Sequence, residues 1–270
     1  MFKLFKGKVA RACVASALLA PAVGALPATA QEDDVYGPGG ESSERDNSYS
    51  VSLNQDTFFA FYPAFNGLVP ISENMDFSFY GILWNSEGLD TTGTNDLWTE
   101  FGAGVALYYM DGNLVVKPQL GILSGTLLSG GTLADDGVTQ TGGANVLDGV
   151  VPNLTMNYSD DTFEAEYYGG YYLALRNRGD DASLDFIHTW VNAGYKVLDF
   201  VSFGGHLELL TNTRNTFPGG STARNYLWLG PYVQFTTDNG FFAKFTGGVD
   251  LGTDQFGDGN FYKLNVGFSF

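Results

Sequence analysis

The sequence is poor in cysteine, in basic residues and in long apolar runs. A single cysteine, Cys13, among 270 residues excludes a fold stapled by disulfides. Thirteen Lys and Arg against 30 Asp and Glu, a net charge of −17, argue against a nucleic-acid partner and against docking on an anionic lipid surface. Beyond residue 30 there is no apolar stretch of about 20 residues, which excludes a transmembrane helix. No phosphate-cradling loop and no nucleotide fingerprint occurs, so no cofactor is expected. Asp250, Asp254 and Asp258 recur every fourth residue without the ligand order of a calcium loop, and no metal site is predicted.

What is present begins with a secretory leader. Lys3, Lys6, Lys8 and Arg11 precede an apolar stretch from about Val14 to Leu26, and Ala28-Thr29-Ala30 closes it with the small-x-small pattern of signal peptidase sites. Pro21 and Pro27 interrupt a run too short to span a bilayer, so cleavage after Ala30 is expected rather than a retained anchor. Removal of residues 1–30 leaves 9 basic and 30 acidic residues, a balance of −21. Residues 31–46, acidic and rich in Gly and Ser, read as a flexible periplasmic segment. The remaining 47–270 carries the fold, with 22 Phe, 15 Tyr and 36 Gly in the whole chain.

Period-2 alternation dominates that region. At the C-terminus Tyr262, Leu264, Val266, Phe268 and Phe270 fall on one face, opposed by Phe261, Lys263, Asn265, Gly267 and Ser269. Phe241 to Leu251 and Phe163 to Arg176 repeat the pattern. Alternating segments of about ten residues are the signature of a transmembrane barrel, although a soluble antiparallel protein also alternates. The connections weigh for the barrel. Short turns at Asp111-Gly112, Ser159-Asp160-Asp161, Leu198-Asp199 and Asp238-Asn239-Gly240 alternate with long polar loops near 86–95, 128–146, 177–183, 213–224 and 252–259. Short turns at one rim and long loops at the other fit an outer-membrane barrel with periplasmic turns.

The last ten residues, Phe261 to Phe270, resemble the terminal-strand signal of the Gram-negative outer-membrane β-barrel proteins. The resemblance implies that the barrel assembly machinery reads the strand ending in Phe270, and that the barrel contacts outer-membrane lipid and lipopolysaccharide. The blocks Phe79-Tyr80-Gly81-Ile82-Leu83-Trp84 and Leu229-Gly230-Pro231-Tyr232 resemble those of an uncharacterised family of small barrels. The expected fold is all-β: an antiparallel up-and-down barrel of twelve strands, the first near 47–54 and turning at Asn54-Gln55-Asp56. A ten-stranded barrel with residues 49–71 in or against it is the alternative. Pro118, Pro152 and Pro231 each remove a ladder donor, and local bulges are expected there.

With the apolar parity toward lipid, the opposite parity defines a lumen lined by Trp84, Trp98, Glu100, Lys117, Glu164, Glu166, Arg176, His188, Trp190, Lys196, His206, Glu208, Trp228, Lys244 and Lys263. Charges of both signs in a confined space should pair. They form either a network that holds and fills the barrel or a polar constriction that selects permeants. The inward tryptophans either pack the interior or offer ring faces to a small polar or sugar-like solute. His188 in Phe186-Ile187-His188-Thr189-Trp190 and His206 in Gly204-Gly205-His206-Leu207-Glu208 lack the His-x-Ser pattern of the barrel phospholipase and the lipid A deacylase, and no catalytic residue is assigned. The leading reading is a narrow, non-enzymatic diffusion channel. A closed barrel acting through its surface loops and a lipid-modifying enzyme are the alternatives.

Overall fold

The computed structural model describes residues 45–85, 97–125, 127–129, 132–133, 140–141, 145–176, 178, 183–217, 219–252 and 259–270. The expected leader, residues 31–44 of the segment expected to follow it, and much of the long connections lie outside the described residues. Among the described residues no helix is long and apolar enough to cross a membrane, which says nothing of strands.

Twelve strands close into one antiparallel barrel: β1 (Ser48–Asp56), β2 (Ala60–Ser72), β3 (Met75–Asn85), β4 (Leu97–Tyr109), β5 (Leu114–Gly125), β8 (Asn145–Ser159), β9 (Phe163–Ala174), β10 (Leu184–Leu198), β11 (Val201–Asn215), β12 (Ala223–Thr236), β13 (Phe241–Asp250) and β14 (Asn260–Ser269). A two-residue pair, β6 (Thr132–Leu133) and β7 (Gln140–Thr141), sits in the connection between β5 and β8. Each barrel strand pairs with its sequence neighbours, and β1 pairs with β14 to close the cylinder. At that seam Tyr49 and Phe270 exchange backbone hydrogen bonds of 2.9 and 2.8 Å. Closure leaves no unpaired edge, the condition for strands to sit in hydrocarbon.

The alternation resolves as the pattern predicts. On β14, Tyr262, Leu264 and Phe268 are 43, 42 and 43 % exposed, while Phe261, of the opposite parity, is 5 % exposed. Phe163 and Tyr167 on β9 and Phe245 and Val249 on β13 likewise face outward, with Tyr168, Tyr172, Thr246 and Asp250 buried. The outside is an apolar belt, the inside a polar and aromatic interior.

None of the three prolines at which bulges were expected produces one; of the two further strand prolines, Pro63 and Pro70 on β2, Pro70 does flank a register shift, between Pro70 and Ser72. Pro118, Pro152 and Pro231 are each in register with one neighbouring strand, opposite Leu154, Leu120 and Gly205. On the other flank the ladder skips two pairs and resumes in the same register, between Gly104↔Gln119 and Leu107↔Val116, Val150↔Leu173 and Asn153↔Gly170, and Leu229↔Val249 and Tyr232↔Thr246. A missing N–H costs one ladder bond and need not add a residue. Glycine absorbs the distortion: a Cβ on Gly104 would stand 2.1 Å from the Pro118 carbonyl oxygen, and one on Gly230 would stand 2.3 Å from that of Gly247.

The connection between β1 and β2 also differs from expectation. The strand continues through Asp56 and the turn is Thr57–Phe59, so Phe58 and Phe59 leave the ladder. The reason is local. Asp56 Oδ1 accepts the backbone N–H of Phe58 (2.8 Å) and of Phe59 (2.6 Å), an Asx-type turn. Ala60 completes it with φ +56. This three-residue turn lies at the long-loop end of the barrel, where the other connections are long.

Candidate functional site

A polar cavity of about 430 Å³ extends from the short-turn rim, at Ser48, Ser159 and Ser269, inward to Trp84, His188 and Lys263. Its two walls differ in chemistry. Strands β1, β2, β3, β5 and β8 contribute hydroxyls and amides, among them Ser52, Asn54, Asn66, Ser78, Gln119 and Asn153. Strands β9 to β14 contribute Glu164, Glu166, Trp190, His206, Lys244 and Lys263.

The charged wall is held by dense hydrogen bonding. Glu164 accepts the hydroxyls of Ser202 and Tyr232, both at 2.7 Å, and the Gln234 amide at 3.4 Å. Glu166 accepts Trp190 Nε1 (2.9 Å), Asn192 Nδ2 (3.0 Å) and Lys244 Nζ (3.4 Å). Trp190 stacks on Tyr168 with ring centres 4.0 Å apart, and the Lys263 ammonium lies 5.5 Å from the Trp190 ring centre, within reach of its π face.

Deeper in, Glu208 is a hub with no solvent exposure. It pairs with Lys263, meets Nε2 of His188 at 2.8 Å and of His206 at 3.1 Å, and accepts the Tyr226 hydroxyl at 2.7 Å. Such saturation is what a buried carboxylate requires. Glu100, equally buried, accepts the Tyr80 hydroxyl (2.7 Å) and Trp84 Nε1 (2.9 Å). Both histidines turn Nε2 to a carboxylate rather than to a serine hydroxyl, an arrangement without an activated nucleophile.

Above this level the lumen is filled. Phe58 and Phe59, 4 and 6 % exposed, tuck inward from the Thr57–Phe59 turn. Phe59 packs 4.6 Å from Trp84 on β3 and 5.9 Å from His188 on β10, and Phe58 packs 5.0 Å from Tyr226 on β12 (ring centres). Trp98, Tyr172, Phe186, Leu210, Trp228 and Phe261 join the same apolar cluster. Leu128, fully buried, enters it from the β5–β8 connection. Asp148 secures that entry by accepting the N–H of Leu128 at 2.8 Å and of Ser129 at 3.1 Å. A small apolar cavity of about 30 Å³ lies within the layer, bordered by Phe58, Phe59, Trp98 and Leu127. Trp84 and His188 border both cavities, and Phe59 packs against both of these side chains.

Of the residues read as lumen lining, Trp84, Lys117, Glu164, Glu166, His188, Trp190, His206, Lys244 and Lys263 border the polar cavity. Trp98, Glu100, Glu208 and Trp228 are buried in or beside the closed layer. Lys196 donates to Ser159 Oγ at 2.7 Å, near the short-turn rim. Arg176 is not a lumen residue. Strand β9 ends at Ala174, so the alternation no longer governs residue 176. Its exposed guanidinium donates Nε–H to the carbonyls of Val146 (3.0 Å) and Leu147 (3.2 Å).

The sequence reading missed Asp56, Phe58, Phe59 and Leu128. For the turn a signal existed: two adjacent phenylalanines cannot both take the lipid side of a period-2 strand, and an aspartate precedes them. Leu128 offered none, because its partner Asp148 is 20 residues away.

Comparison with known proteins agrees with the architecture. An outer-membrane channel from Pseudomonas putida F1 superimposes with a TM-score of 0.54 at 11 % identity, covering 83 % of this chain and 95 % of that one. The KdgM porin aligns at 12 % identity with a TM-score of 0.47, covering 82 % of this chain and 99 % of that one. At 11 % identity the likeness to the Pseudomonas channel is one of fold: a barrel of the outer-membrane kind. No curated protein matches the sequence. Over residues 19–270 the sequence matches the family of unknown function DUF6733, and the chain belongs to that family.

Proposed function

We propose that the protein is an outer-membrane diffusion channel for small polar solutes, closed at its outer end by the Thr57–Phe59 turn. The observation that carries this reading is the polar cavity of about 430 Å³ that begins at the short-turn rim and stops at a single aromatic layer. A barrel stabilised only by filling would have no need of an unfilled polar half. With short turns periplasmic, the cavity is a periplasmic vestibule and the turn is its outer seal. Export through the general secretory route with cleavage after Ala30, recognition of the strand ending in Phe270 by the barrel assembly machinery, and contact of the outer rim with lipopolysaccharide complete the proposal.

One observation favours a second reading. The aromatic layer reaches from Trp84 on β3 to Tyr226 on β12, and a permanently closed barrel acting through its outer loops would look the same. Planar-bilayer recording separates the two. Discrete current steps from purified, folded protein are expected. Silence from both the wild type and a variant lacking the Phe58 and Phe59 rings would retire the channel.

A further inference from the structure

The vestibule contains seven lysine, glutamate and histidine side chains, Lys117, Glu164, Glu166, His188, His206, Lys244 and Lys263, and each is already engaged. Lys244 is bonded to Glu166 and Lys263 to Glu208. Glu164 has three neutral donors, from Ser202, Tyr232 and Gln234. His188 and His206 both meet Glu208, and His206 Nδ1 also faces Asn192 Oδ1 at 2.7 Å. Lys117 has a partner as well. The formal charges balance, Lys117, Lys244 and Lys263 against Glu164, Glu166 and Glu208, so an ion of either sign entering this space sheds hydration, meets no net counter-charge and must displace an existing hydrogen bond or ion pair.

A neutral solute bearing hydroxyls meets no such obstacle. The opposite wall of serine, asparagine and glutamine side chains can both give and accept hydrogen bonds. Trp190 is half-buried, braced on one face by Tyr168 and with the Lys263 ammonium 5.5 Å from its ring centre, and the part of the ring left uncovered offers an apolar edge to the C–H groups of a sugar ring. The volume falls within the range of about 300–1,000 Å³ usual for small-molecule sites. We infer that the vestibule is a binding site selective for neutral, polyhydroxylated, sugar-sized solutes over ions of either sign. The inference rests on the reading of the cavity as solute space, and names the class of solute.

The test uses the folded full chain in detergent. Trp84, Trp98 and Trp228 are at most 4 % exposed, so acrylamide quenching of tryptophan fluorescence reports on Trp190, and Trp190→Phe verifies the assignment. Sucrose is expected to protect Trp190 at a concentration at least tenfold below that needed with glucuronate or with choline. Equal or better protection by either ion, or no protection by sucrose, overturns the inference. Glu166→Gln leaves the Lys244 ammonium without its carboxylate and is expected to improve glucuronate protection by tenfold or more. Unchanged ranking in a folded Glu166→Gln protein also overturns it. If that variant does not fold, the wild-type ranking still decides. Sucrose selectivity in a protein whose gate variants never conduct retires the channel alone, whereas conductance without selectivity retires the inference alone.

Discussion

Removing the Phe59 ring should open the barrel. Phe59 sits between Trp84 and His188 on opposite sides of the lumen, 6 % exposed, on a turn of three residues. If opening withdraws the turn into water, closure is favoured by the burial of that ring, about 1.5–3 kcal/mol. At about 1.4 kcal/mol per tenfold, Phe59→Ala should raise the ratio of open to closed barrels roughly ten- to a hundredfold. Phe58→Ala should act in the same direction, and the pair need not be additive because the two rings touch at 4.9 Å. The assay is single-channel recording in planar bilayers, scored as open fraction, with heat-modifiable gel migration to establish that each variant is folded. Phe61→Ala is the control: Phe61 is 48 % exposed on the lipid side and its loss should leave the open fraction unchanged. If folded Phe58→Ala/Phe59→Ala protein conducts no more than wild type, the turn is not the seal and the reasoning fails.

Three other outcomes follow from the structure. Gly104→Ala places a Cβ 2.1 Å from the Pro118 carbonyl oxygen, a backbone atom held by the neighbouring strand, and should cost about 1–3 kcal/mol, read as a lower temperature for loss of the heat-modifiable folded band. Lys263→Met leaves Glu208 buried without its ammonium partner and should cost about 3–5 kcal/mol; Glu208→Gln/Lys263→Met should recover part of that in the same unfolding assay, and a double variant no better than the single one contradicts the pairing. In the turn between β8 and β9, the Tyr158 hydroxyl, aided by the Phe163 and Thr162 amides, holds the Asp160 carboxyl below its ordinary value of 3.8. Its stabilisation of the turn is therefore complete above that ordinary value and is lost as pH falls through the lowered one. Hydrogen exchange at Thr162 and Phe163 should be protected from neutrality down to about pH 4 and accelerate only below it. Acceleration between pH 7 and 5 would contradict the sign.

The strands were legible because their physics is one-dimensional. In a sheet with lipid on one side, each residue's face is set by the parity of its position, so Tyr262, Leu264 and Phe268 could be assigned outward without coordinates. The even strand number followed from placing both ends of the barrel at the periplasmic rim. Arg176 was misplaced because parity holds only inside a strand, and the end of β9 at Ala174 depends on the neighbouring strands. Pro118, Pro152 and Pro231 were read as sources of bulges, when glycines across the ladder, Gly104 and Gly248 among them, let the strands part and rejoin in register.

By itself the sequence determined the membrane-facing surface, the order of the strands and which polar residues inside the strands turn inward, since these depend on period and on turn chemistry along the chain. Only the tertiary structure decided that the interior is divided into a polar vestibule and a closed aromatic layer. That division depends on which inward residues share a level, Phe59 beside Trp84 and His188, Leu128 above Asp148. Register around a closed cylinder brings together residues more than a hundred positions apart, which no local pattern encodes.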